Sequence, residues 1–202
     1  MANHNTTIAK NTLFLSLRMV FVLFVSLYTS RVFLNVLGVE DYGISNVVAG
    51  FVSMFSFLNT SLANAIQRFY NAELGKNGKD GITKVYNTSL VIQGIITLCV
   101  VALLESVGLW YLYEKMVIPV DRFEVAFWLY QFSTISAAVV IMQSPFTAAV
   151  MAYDRMNTYA VISILEVVLK LGFALALPYI SIDSLLMYGA FYMILSILNF
   201  LL

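Results

Sequence analysis

Charge is scarce in this 202-residue chain: aspartate, glutamate, lysine and arginine make up 11% of it, against 61% hydrophobic residues. Soluble domains carry about 25% charge, so a water-soluble globule is excluded, and the mean hydropathy of +0.88 says the same. Eleven basic residues balance eleven acidic ones. Overall charge therefore implies neither nucleic acid nor an acidic partner, and charge has to be read by position. With one cysteine, Cys99, there is no intrachain disulfide; its place inside an apolar run predicts a buried structural thiol. The lone histidine, His4, lies in the N-terminal tail, and no H-E-x-x-H, G-x-S-x-G or G-x-x-x-x-G-K-[ST] pattern occurs. No carboxylate cluster could hold a metal. Neither an enzyme nor a cofactor is expected, since a membrane glycosyltransferase or acyltransferase would need acid–base residues grouped at one membrane face.

What the chain has is long apolar runs. Six reach about the 20 residues that a helix needs to cross hydrocarbon: 11–37, 42–70, 83–113, 123–153, 157–178 and 182–202. The runs are continuous rather than alternating, which predicts an all-α polytopic membrane protein and not a β-barrel. The first run is too long for a signal peptide and no A-x-A-like site follows it. Short connections carry turn chemistry: Gly38 to Asp41, with Asp41 as an N-cap; Gly75, Gly78 and Gly81; Pro119 with Asp121; Asp154 to Asn157; and Pro178 to Asp183.

Residues 29–78 organise the rest. Within them, Asn46, Gly50, Ser53, Ser56, Thr60, Asn64, Gln67 and Arg68 fall in one stripe about 120° wide at helical spacing. Val48, Phe51, Phe55, Leu58, Leu62, Ile66 and Phe69 occupy the other side. Such a helix presents one face to lipid or to packed neighbours, and another able to line something wet.

Position gives the charges meaning. With a cytoplasmic N-terminus, the inner side collects Lys10, Arg18, Arg68, Lys76, Lys79, Lys84 and Arg155, whereas the outer side holds only Arg31, Lys115 and Arg122. That bias predicts an N-terminus inside. A charge at mid-membrane costs about 2.5–3.5 kcal/mol on insertion scales and demands a reason. Arg18 lies about 12 Å into the first span; it is either a phosphate ligand or an arginine snorkelling to the interface. Arg31, rotated about 220° from it, has a structural or interfacial role. Glu166 and Lys170 stand in the favourable order for an i,i+4 ion pair, with an ion-coupling site as the functional alternative. Gln131 and Gln143 are expected to hydrogen-bond between helices, and Pro145 to kink the fourth span.

The runs TSRVFLNVLGVEDYGISNVVAGFVSMFSFLNTSLANAIQRFYNAELG (29–75), AAVMAYDRMNTYAVISILEVVLKL (148–171) and IAKNTLFLSLRM (8–19) resemble the bacterial lipid-linked oligosaccharide flippases. These belong to the superfamily of multidrug, oligosaccharidyl-lipid and polysaccharide exporters. The resemblance implies a transporter of two six-helix lobes, of which this chain matches the first, spanning residues 1–202. It further implies movement of an undecaprenyl-pyrophosphate-linked sugar between leaflets of the inner membrane, for surface polysaccharide and lipopolysaccharide biosynthesis. Its partners would be that lipid-linked oligosaccharide, membrane lipids and polysaccharide assembly proteins. Arg18 would hold the pyrophosphate, and Asn46, Ser53, Ser56, Thr60, Asn64, Gln67 and Arg68 would meet the sugar. The last span runs to Leu202 without a polar flank, so a second lobe is expected downstream. A cation-coupled drug exporter of the same superfamily and a non-transporting scaffold are the alternatives.

Overall fold

The computed structural model describes the backbone of residues 2–153 and 156–201, and side chains outside 2–15, 56–58, 77–80 and 156–159. The Asp154-Arg155 turn and the side chains of Lys10, Ser56, Leu58 and Lys79 therefore lie outside the described residues. Everything with regular structure is helical: α1 (Ala2–Ser53), α2 (Ser56–Leu103), a π turn (Leu104–Gly108), α3 (Leu109–Glu114), a 3-10 turn (Val120–Arg122), α4 (Phe123–Met142), α5 (Ser144–Ala152), α6 (Met156–Ala176), a 3-10 turn (Leu177–Tyr179) and α7 (Ser184–Leu201). The chain has the helices of a membrane protein. Five segments are long and apolar enough to cross a bilayer: Ser16–Ser53, Gly81–Glu114, Val120–Ala152, Ala160–Tyr179 and Ser184–Leu201.

Five rather than six arises at the first connection. The turn expected over 38–41 is compressed into one residue, Gly38, whose φ of 78° and ψ of 171° stand alone within an otherwise continuous helix. Only glycine takes such an angle without steric cost. The chain folds back there. Phe33 stacks edge-on to Tyr188 and lies near Tyr192, and Ala49 and Val52 line a cavity with the same two tyrosines, yet in a straight helix Phe33 and Ala49 would stand about 24 Å apart. Likewise Leu62 and Gln93 line one cavity, although a straight α2 would separate them by about 46 Å. The reversal falls between Glu73 and Lys84, where Gly75 and Gly81 were expected to break the chain. At Met54–Phe55 the helix is interrupted by a turn, and beyond it the chain is too polar to count as a candidate span.

The descending arm of α1 and the first part of α2 together follow α4 and α5. Asp41 meets Arg122 at one end, Val52 shares a cavity with Leu129 and Ala137 midway, and Ile66 and Tyr70 cluster with Ala148 at the other end. The principal core joins Phe33, Leu37, Ile44, Val48 and Val52 to Leu104, Leu129, Tyr130 and Ile141. Close approach depends on small residues. Gly189 lies against Leu129 and Phe132, and a Cβ on Gly108 would collide with the Tyr130 hydroxyl, which donates to the Leu104 carbonyl at 2.8 Å within the π turn. The fourth span breaks at Gln143, with Pro145 in the first turn of α5, where a missing N–H costs nothing.

Two expectations need correction. Cys99 is exposed, not buried; so are its neighbours Ile95, Leu98 and Leu103. In a membrane helix an apolar face is stable against lipid, so lipophilicity does not imply burial. Asp41 does not act as an N-cap: its carboxylate receives Arg122 Nε at 2.8 Å and pairs with a second guanidinium nitrogen. A charged donor outbids a neutral N–H.

Arg122 also reaches Asp183 at 2.6 Å, and Asp183 caps α7 by accepting the N–H groups of Leu185 and Leu186 at 3.0 and 3.2 Å. One guanidinium thus clasps three turns. Burial by itself raises the Asp183 carboxyl, but Arg122 and the two backbone N–H groups outweigh it, leaving the group below its usual value. A depressed carboxyl stabilises the fold above its unfolded value, about 3.9, and this contribution disappears as pH falls through the folded value. The melting temperature of purified protein in detergent should therefore drop below about pH 4, and Asp183→Asn should flatten that dependence. Arg122→Met, which strands the Asp41 carboxylate, should cost about 3 kcal/mol at neutral pH; an unchanged melting temperature would show that the clasp does not hold the turns.

Candidate polar cavity between the helices

Polar side chains in apolar helices collect where they can satisfy one another. A cavity of about 560 Å³ lies among α5, α6 and α7, and is closed on one side by Asn59 of α2. A second, of about 270 Å³, adjoins it and shares Val140, Tyr192 and Ser196 with it. The larger cavity has the volume of small-molecule sites, about 300–1,000 Å³. A separate apolar cavity of about 400 Å³ lies between the arms of α2, but its walls offer little to a polar ligand.

The charges of the polar cavity come from one helix. Glu166 and Lys170 sit one turn apart on α6, and Lys170 Nζ donates to Glu166 Oε1 at 2.6 Å. Both line the cavity, and about a quarter to a third of each side chain is exposed. The ammonium also stands 5.3 Å from the centroid of Tyr192, a favourable cation–π position. Ser163, one turn before Glu166, accepts from Arg18 Nη1 at 3.0 Å. The first arm of α1 thereby brings Arg18 to the cavity wall.

The remaining polar groups are partly committed. Gln143 Nε2 donates to the Asn199 carbonyl at 3.0 Å, joining the α4–α5 break to α7. Ser196 turns to the Tyr192 carbonyl of its own helix. Asn59 Oδ1 is buried and has no hydrogen-bond partner among the described residues; a buried carbonyl of this kind requires a partner from water or a ligand. The cavity lining accordingly combines the Glu166–Lys170 pair with the buried Asn59 oxygen, which accepts no hydrogen bond among the described residues.

The expected stripe lies elsewhere. Asn46, Ser53, Thr60, Asn64 and Arg68 are exposed, Gln67 is half-buried, and the side chain of Ser56 is outside the described residues. Asn46 Nδ2 donates to the Tyr42 carbonyl and Ser53 Oγ to that of Gly50, both at 2.8 Å, so these two are satisfied within their own helix. Among the described residues of the stripe, Ser53 alone lines either of these two cavities, the smaller one. Opposite the stripe, Val48 and Ile66 are buried, but Phe69 is 65% exposed. Arg31 is exposed. Gln131 links α4 to Glu105 at 3.4 Å, and Gln143 bonds between helices as its position suggested.

Asn59, Ser163, Tyr192, Ser196 and Asn199 were not singled out from the sequence. A signal existed for the last three, whose spacings of four and three residues place them on one face of α7. Asn59 lies one position off the stripe. Among the described residues no group of histidine, cysteine and carboxylates could hold a metal.

Comparison with known proteins finds no matching family model, no matching curated protein and no matching solved structure.

Exchange of the pair tests its place in the fold. Glu166→Lys and Lys170→Glu should each lower the melting temperature in detergent, by an amount corresponding to about 3 kcal/mol, because each leaves two like charges in a half-buried site. The double exchange should recover most of the loss. Two singles as stable as the parent would show that the cavity is open to bulk water.

Proposed function

We propose that this chain is a six-span lobe of a transporter that carries undecaprenyl-pyrophosphate-linked oligosaccharide from the cytoplasmic to the periplasmic leaflet of a bacterial inner membrane. The six spans are the ascending arm of α1; its descending arm, continued to Glu73; the 84–114 segment; α4 with α5; α6; and α7. A second lobe would close against this one. The N-terminus is cytoplasmic in this reading, on the strength of the basic residues gathered at one end.

The observation that carries the proposal is the polar cavity holding Glu166 and Lys170, with Arg18 bonded to its wall through Ser163. A pyrophosphate needs cations that keep their charge away from bulk water, which a guanidinium does. Sugar hydroxyls need acceptors and donors, which Asn59, Gln143 and Asn199 offer. The exposed stripe of Asn46, Thr60 and Asn64 is then the surface that the second lobe and the passing oligosaccharide would meet. A cationic-drug exporter fits less well, since its substrate would meet Arg18 and Lys170 against a single carboxylate.

In cells whose surface polysaccharide depends on the full-length protein, Arg18→Glu should abolish export with protein abundance near normal, and Arg18→Lys should retain part of it. Normal export by Arg18→Glu would refute the head-group role. Orientation is tested by single cysteines at positions 79 and 121 in a Cys99→Ala background: an impermeant thiol reagent added outside should label position 121 and spare position 79.

A further inference from the structure

The apolar cavity between the arms of α2 has walls that the transport reading does not use. Leu62, Ile66 and Phe69 of the first arm and Thr88, Ser89 and Ile92 of the second line a space of about 400 Å³. Phe69 and Ile92 are 65% and 51% exposed, so in a membrane this space is reached from the hydrocarbon. Glu73 and Lys84 line it as well. One charge of each sign selects neither an anion nor a cation, which points to a neutral occupant.

Gln93 shows what that occupant must offer. It is fully buried and lines the cavity, about 13 Å along the helix from Lys84. Its Nε2 donates to the Ile141 carbonyl at 2.7 Å. That carbonyl needs a donor from outside its helix, because residue 145, four positions on, is proline and has no N–H. The bond fixes which way the amide points and leaves Oε1 as the end without a partner among the described residues. A buried carbonyl oxygen of this kind calls for a donor. Ser89, one turn earlier and also buried, adds a hydroxyl to the same wall. Water fits poorly, since a space far larger than the ~30 Å³ share of one water molecule and walled mainly by apolar groups stays dry.

We infer that this cavity binds a neutral alcohol with a long apolar body, which enters from the hydrocarbon and donates its hydroxyl to Gln93 Oε1. The apolar body lies against Leu62, Ile66, Phe69 and Ile92, and the hydrogen bond fixes which end goes in first. Mostly apolar walls with a few placed polar groups are the usual make-up of such sites. Burial of the chain supplies the affinity. The hydroxyl supplies selectivity, because an ether of equal size can only accept and would leave the Gln93 oxygen unpartnered. The site shares no lining residue with the cavity of Glu166 and Lys170 and does not rest on the transport reading.

Photolabelling of the full chain in phosphatidylcholine vesicles tests this. The probe is a diazirine-bearing octanol, and labelled residues are located by mass spectrometry of the digested protein. Label should fall on residues 62–73 and 84–93, and dodecanol should displace it at roughly tenfold lower concentration than undecyl methyl ether, which has the same number of heavy atoms and no donor. Gln93→Leu should abolish the preference for the alcohol over the ether. Ala65→Trp, which fills the cavity from an exposed position, should remove the label. Elution as a single micellar species before reconstitution checks that each variant is folded, and the comparison of alcohol with ether on the wild-type chain decides the matter even if neither variant folds. Equal displacement by the two compounds, or an unchanged preference in Gln93→Leu, overturns the inference. So does absence of label from both arms of α2.

Discussion

Arg122 holds together the ends of three hairpins that share no other salt bridge at that end of the bundle among the described residues. Its guanidinium takes the carboxylate of Asp41, three residues after the Gly38 reversal, and that of Asp183, which caps α7. Geometry explains why an arginine does this: a planar fork can serve two carboxylates at once, whereas an ammonium is a point charge. Around the clasp, Phe33, Leu37 and Ile44 pack with Leu129 and Leu185 in one core. Removing the clasp would strand the carboxylates of Asp41 and Asp183 at the turns.

The rest of the bundle depends on that registration because apolar packing alone is poorly directional. In hydrocarbon there is no hydrophobic force between helices, so close contact, interhelical hydrogen bonds and small residues select the partners. Gly189 beneath Leu129, Gly108 beneath Tyr130, Gln93 bonded to the Ile141 carbonyl at 2.7 Å and Gln143 to that of Asn199 perform that selection here. Each fixes one helix against another at a particular height. The polar cavity lies beside these contacts, and Glu166, Lys170, Ser163 and Asn59 line one space there.

Function, in this reading, uses the same economy. Half-buried charge is tolerated where it is paired. Glu166 and Lys170 are such a pair on α6, whereas the stripe on α1 and α2 is mostly exposed, with Asn46 and Ser53 bonded to carbonyls of their own helix.

Local features were legible from the residues alone. The helical membrane class follows from long apolar runs, the reversals from Gly38 and from the glycines around 75–81, the break in the fourth span from Pro145, and the Glu166–Lys170 pair from its four-residue spacing, because backbone geometry fixes what neighbours within one or two turns can do. Tertiary structure decided the remainder. That Arg122 would choose Asp41 and Asp183, that Arg18 would meet Ser163, that Asn59 rather than the stripe would close the cavity, and that Cys99 would face outward all depend on how the helices are rotated and staggered. Helices that are apolar on every side carry no strong signal of which face turns inward, so those choices are made only when the helices pack.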